Sequence, residues 1–366
     1  MQLRPFKFFP SVYLWVGLFV FFLLSSPFFV QAASESSLSE EQKAERKLEF
    51  SEEVKDEIFL REKQRQAPAP IQKPWTIMIA TNYGHDDNVT FDSRRIGDMF
   101  HQETVTATLD LPHTGLGSVI GPGKYGAVVN WDDFNYSKQN QSDYFNSKYN
   151  PYVSVNLTNT LSLKTEYKYK DIRYIDNDQI TYAGQEFKAS LTELQFAHWM
   201  HSLYASAEYR QYSDRYALAA NNIKLPVKRQ DIYDEVGYNA TFFPTQKFVA
   251  GVGGLYKLND SNDVFNKFND YEGYRFTGFV YVVLNDRISW VGAAGYDYRK
   301  YDSKIFEETS NEAENDGFVY AASYVYVNLG PRTQFVFSYF FDQNYSNDPT
   351  LDFTGHILTA GFTVKI

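Results

Sequence analysis

The chain has 366 residues, 43% hydrophobic and 18% aromatic, with 29 tyrosines, 31 phenylalanines and a formal net charge of −10. It has no cysteine, which excludes disulfides, thiolate metal sites, cysteine nucleophiles and a cysteine lipid anchor. The negative mean hydropathy excludes a bundle of transmembrane helices, and the acidic balance makes nucleic acid a poor partner.

At the N-terminus, Arg4 and Lys7 precede an unbroken apolar run, Val12–Leu24 ("VYLWVGLFVFFLL"), which Ser25, Ser26 and Pro27 break. Val30-Gln31-Ala32 then supplies small residues at −3 and −1, so residues 1–32 are expected to be a secretory signal cleaved after Ala32. An uncleaved inner-membrane anchor is the competing reading, for which the run is short. Cleavage removes Arg4 and Lys7 and takes the formal charge from −10 to −12. Residues 33–74 are expected to be a charged helical periplasmic segment and a Pro-rich linker. Ser36–Gln66 has no glycine or proline, Ser37-x-x-Glu40 has the form of a capping box, and Glu57 and Arg61 form an i,i+4 pair. Phe50, Val54 and Ile58 give it a narrow apolar stripe. It reads as a solvated helix or partly disordered arm, with a periplasmic partner of segment 36–66 as the sharper alternative. Ala67-Pro68-Ala69-Pro70 ends it as a stiff spacer.

From Trp75 the apolar period changes to two, so residues 75–366 are expected to be β. Phe248, Ala250, Val252, Gly254 and Tyr256 alternate, as do Tyr274, Phe276, Gly278, Val280, Val282 and Leu284. Trp290, Gly292, Ala294, Tyr296 and Tyr298 follow, then Val319, Ala321, Val325 and Val327, then Phe335, Phe337, Tyr339 and Phe341. A soluble sandwich also alternates, but three features favour a membrane barrel. The strands run about 10–14 residues, against a usual 5–6. Aromatic residues cluster near strand ends on the apolar face, for example Trp75 and Tyr83, Tyr125 and Trp131, and Trp290 and Tyr298. Connections also alternate in length: Thr158–Thr160, Phe243–Gln246, Asn285–Arg287 and Gly330–Arg332 are tight, whereas His85–Gly97, Ile175–Gly184, Asp214–Arg229, Leu258–Asp270, Asp302–Asp316 and Asp342–Thr350 are long and polar.

The fold class that results is all-β: a transmembrane antiparallel up-and-down β-barrel of about fourteen strands. Short turns face the periplasm with both termini, and the apolar face, turned to outer-membrane lipids, carries no mid-membrane charge. Two strands are irregular. Near Leu191 the parity slips, and a β-bulge at Thr192–Glu193 is expected to restore it. Asp234 has outward parity and is placed above the bilayer. The last segment, Gly355–Ile366, alternates up to its final residue and is expected to close the barrel against the first strand, since an unpaired edge in hydrocarbon costs several kcal/mol per backbone group. It resembles the C-terminal signal read by the outer-membrane barrel assembly machinery, although Ile366 stands where an aromatic residue is usual.

Fourteen strands enclose a cylinder roughly 25–30 Å across its backbone. Its inward positions are expected to include Lys164, Glu166, Lys168 and Lys170 on one strand, Glu208 and Arg210 on another, and Glu235, Arg275, Asp297 and Arg299 further round. Such a mixed-charge wall lines an aqueous channel or pairs internally and fills the interior; both readings are open. Tyr320, Tyr324 and Tyr326 also point inward, to stack sugar rings or acyl chains or to fill space. His85-Asp86-Asp87 above the first strand gives a weaker hydrolase alternative. Asn259-Asp260-Ser261-Asn262-Asp263 is better explained by turn chemistry than by calcium. No cofactor or catalytic residue is expected.

"YGHDDNV" (Tyr83–Val89) and "NYSNDP" (Asn344–Pro349) resemble segments of bacterial outer-membrane β-barrel proteins, most of all the barrel domain of surface lipoprotein assembly modifiers. That resemblance implies fourteen strands and export of lipoproteins to the cell surface. The family's tetratricopeptide repeats have no counterpart here beyond one short charged segment. The leading expectation is a porin-like channel for small polar solutes, and the alternative is a surface-display or secretion factor.

Overall fold

The computed structural model describes residues 74–89, 96–113, 122–139, 142–175, 181–195, 198–218, 224–262, 269–305, 313–348 and 351–366. The signal and the helical arm lie outside the described residues. Fourteen strands make up the fold: β1 (Trp75–Asp86), β2 (Asp98–His113), β3 (Gly123–Tyr136), β4 (Tyr144–Asn156), β5 (Leu161–Tyr174), β6 (Tyr182–Gln195), β7 (Trp199–Leu218), β8 (Lys224–Thr245), β9 (Phe248–Ser261), β10 (Tyr271–Val283), β11 (Ile288–Ile305), β12 (Ala313–Asn328), β13 (Thr333–Ser346) and β14 (Phe353–Lys365). Each pairs antiparallel with its sequence neighbours, and β14 pairs with β1, so the sheet closes into a barrel.

Closure runs along β1 from Met78 to Asp86. Met78 is registered to Lys365 and Asp86 to Ile357. Beyond the strand, Ile366 donates its N–H to the Ile77 carbonyl at 2.9 Å, so the apolar C-terminal strand is paired to its last residue. Tight turns join the strands at one end of the barrel. Leu157 and Thr158 both donate to the Leu161 carbonyl, Leu329 and Gly330 both donate to that of Thr333, and the Asn285 side chain accepts from the N–H groups of Arg287 and Ile288.

The structure corrects three expectations. Segment Asp214–Arg229 is mostly strand among the described residues: β7 extends to Leu218 and β8 starts at Lys224, reaching 20 and 22 residues. Its polar residues misled because a hairpin that projects beyond the apolar belt is wet on both faces. No bulge occurs at Thr192–Glu193: Leu191, Thr192, Glu193 and Leu194 keep an unbroken register with Leu203, Ser202, His201 and Met200. Leu194 breaks parity only because it lies at the turn end, where neither face is committed. Third, Glu103 and Asp133 stand directly opposite one another on the outer face. They sit beside the Tyr83–His101 pair, whose rings stack at 4.6 Å, near the outer aromatic residues rather than among the aliphatic ones. Asp234 is outward and exposed, as its parity requires.

Candidate functional site on the inner wall

Side chains converge only on the concave side of a closed sheet, and ion pairs that span an intervening strand identify that side. Lys170 of β5 reaches Glu208 of β7 at 3.0 Å across β6. Lys257 of β9 reaches Asp297 of β11 at 2.8 Å across β10. Each bridge passes over an inward glycine. A Cβ on Gly184 would stand 2.6 Å from the Glu208 carboxylate, and one on Gly273 would stand 3.0 Å from the Lys257 stem. Strand alternation then places every expected lumen residue on this face.

On β5–β7 the charges form a chain. Lys164 meets Glu166 at 2.5 Å, Lys168 meets Glu186 at 3.1 Å, Lys170 lies between Glu186 and Glu208, and Arg210 holds Glu208 at 3.0 Å. On β9–β11, Lys257, Arg275 and Arg299 converge on Asp297, with Arg299 at 3.3 Å. Burying these carboxylates without partners would cost several kcal/mol each, so the pairing is what permits them on a buried wall. Glu235 lies inward, in register with Ser206 on one side and Lys257 on the other. Tyr320 lies flat across Gly295 and stacks on Phe340 at 6.5 Å, while Tyr324 stacks on Tyr326 at 6.2 Å.

Sequence reasoning missed several inner-wall residues: Lys148, Glu186, Lys188, Arg229, Asp231 and Lys257. Strand parity alone carries their signal, and it is readable only once each strand's register is known. Also missed was an inward aromatic layer at the loop ends of β2–β7. Phe100 stacks on Phe134 at 4.4 Å and Phe134 on Tyr144 at 5.2 Å, with Tyr174, Tyr182 and Tyr212 continuing the layer. Cations pack against it: the Arg210 guanidinium lies 5.1 Å from the Tyr182 ring centre and that of Arg229 lies 4.7 Å from Tyr212. Each strand contributes only one or two of these rings, so the layer emerges only when the registers of six strands are combined.

The charges are segregated around the barrel. Among the described residues, the inward face of β4–β11 carries ten basic side chains and six acidic ones. The inward face of β12–β14 and β1–β3 carries seven acidic side chains and only two basic ones, Lys124 and Lys365, both near the turn end. In a fourteen-strand cylinder β5 stands opposite β12, so the two sets face each other across the interior.

The hydrolytic candidates do not assemble. Asp86 points inward and accepts the Tyr136 hydroxyl at 2.9 Å, whereas His85 points outward and Asp87 accepts the His356 N–H. On the outer wall, Thr81 Oγ1 lies 3.1 Å from His101 Nε2 and Glu103 lies 3.7 Å from the same nitrogen. Hydroxyl and carboxylate share one ring nitrogen, so this imidazole is not set to relay a proton between them. Beyond the apolar belt, on the projecting hairpin, the hydrogen bond from Lys228 holds the Asp214 carboxyl below its usual value.

No protein-family model matches the chain, and no curated protein sequence matches it. Solved structures with related folds include OmpT, an outer membrane protein of Vibrio cholerae, at 7% identity with TM-score 0.42, covering 82% of this chain and 100% of that one. They also include Pseudomonas aeruginosa OccK2 (OpdF) in complex with glucuronate, at 7% identity with TM-score 0.41, covering 80% and 98%. A bacterial polysaccharide outer membrane secretin is similar at 6% identity with TM-score 0.43, covering 81% and 99%. At that similarity they say nothing of what this chain binds or moves.

Proposed function

We propose that this barrel lies in the bacterial outer membrane, inserted through its closing strand 355–366 with both termini in the periplasm, and that it is a channel for small polar solutes. The observation that carries the reading is the uneven division of inner-wall charge, with cations in excess on β4–β11 and acids in excess on the remaining strands. A wall that only filled space would gain most by interleaving opposite charges everywhere. Segregated charges instead leave a transverse field that orients a polar solute in transit. An outer face that is apolar and aromatic supports the membrane setting, as do turns that are tight at one end and longer at the other.

Purified full-length protein is to be reconstituted in planar bilayers. Discrete conductance steps in potassium chloride are expected, and a silent barrel that migrates as folded overturns the channel.

A further inference from the structure

We propose that the lysine-rich inner face of β4–β6 is the contact surface for small carboxylates, with Lys188 as its docking cation; this rests on the barrel being a pore. That face carries Lys148, Lys164, Lys168, Lys170 and Lys188 against Glu166 and Glu186. Its two glutamates are engaged: Glu166 meets Lys164 at 2.5 Å, and Glu186 takes both Lys168 and Lys170. Lys188 is registered directly opposite Glu166 and Ser206, yet among the described residues no carboxylate oxygen lies within 4.0 Å of its ammonium. Instead the ammonium sits 4.1 Å over the Tyr204 ring. That ring is itself held flat against Gly237 of β8. The cation is thus seated on an aromatic face, short of ion-pair contact with the Glu166, Glu186 and Glu235 carboxylates whose field it shares, and an ammonium keeps its hydrogen-bond donors when an aromatic face supports it.

Exposure decides which wall a permeating ion meets. The Lys164 and Lys168 side chains are 29% and 19% exposed, whereas Glu314, Asp316 and Asp342 on the opposite wall are 1%, 3% and 2% exposed. Of the less buried acids, Asp132 accepts the Thr104 hydroxyl at 2.6 Å and Asp110 accepts that of Tyr152. Glu235 faces Lys257 in register. The Lys164 and Lys168 ammoniums are therefore open to lumen water, whereas Glu314, Asp316 and Asp342 are not. A carboxylate displaces water from such an ammonium and accepts its hydrogen bonds. Several lysines along the strand direction let it pass from one to the next.

The full-length protein in planar bilayers under a potassium chloride gradient gives a reversal potential on the anion side, and succinate, the probe, reduces the chloride current. Lys188→Gln breaks no ion pair and is expected to fold; it lowers the anion-to-cation permeability ratio and the succinate effect by up to about fivefold, while Lys188→Arg retains both. A cation-selective wild type overturns the proposal independently of any variant, as does a folded Lys188→Gln barrel with wild-type selectivity and block. Absence of conductance in the wild type overturns the pore reading itself, so the two failures are distinct.

Discussion

At Asp297, three cations share one carboxylate that is 1% exposed. Asp297→Asn keeps the shape and removes the charge. It should destabilise the barrel by about 3–5 kcal/mol, because buried cations lose their counter-ion; a urea titration in detergent measures the loss. Tyr320 and Gly295 form a second interlock, with the ring occupying the space a Cβ on the glycine would need. Tyr320→Ala should cost about 3–5 kcal/mol through lost packing. Gly295→Ala should also destabilise, and the double variant should cost less than the sum, since one clash and one void then partly cancel. The glycine contact is not legible in sequence: it needs the partner on the next strand, and register alone supplies it.

At the scale of the strand, the two faces obey opposite rules. Val252 of β9 is 63% exposed on the outer face, inside the apolar stretch of its strand. Val252→Lys should lower stability by about 2–4 kcal/mol, the midplane cost of a lysine on the lipid face of a barrel. Glu103→Leu on β2 should be neutral or stabilising by up to about 1 kcal/mol, because it removes an acid from beside Asp133 on that same face. Unfolding midpoints in lipid vesicles distinguish the two, and a large loss for Glu103→Leu would mean that the outward acids are held by something other than the wall itself. These faces were legible in the alternation of the second half of the chain. They were less so in β2 and β3, where threonine and paired acids blur the contrast, and in β7 and β8, where polar sequence conceals strand.

For the whole molecule, closure is the decisive property, and the cysteine-free chain offers a clean test. Thr81 of β1 and Phe362 of β14 are direct partners across the seam. A Thr81→Cys/Phe362→Cys variant should cross-link on oxidation and migrate as a looped chain, whereas Thr81→Cys/Thr359→Cys, out of register, should not. Strand number and the apolar closing strand were determined by sequence, because period-two alternation and turn spacing are local properties. The inner wall was legible only in part: alternation assigns Lys170 and Asp297 a face, whereas Glu186, Lys188 and Lys257 needed each strand's register. Only the tertiary structure decided which charges meet, as Lys170 with Glu208 and Lys257 with Asp297 are joined across a third strand. It alone placed the acidic set opposite the basic one. Distances around a closed cylinder depend on every register at once, and no single stretch of sequence encodes them.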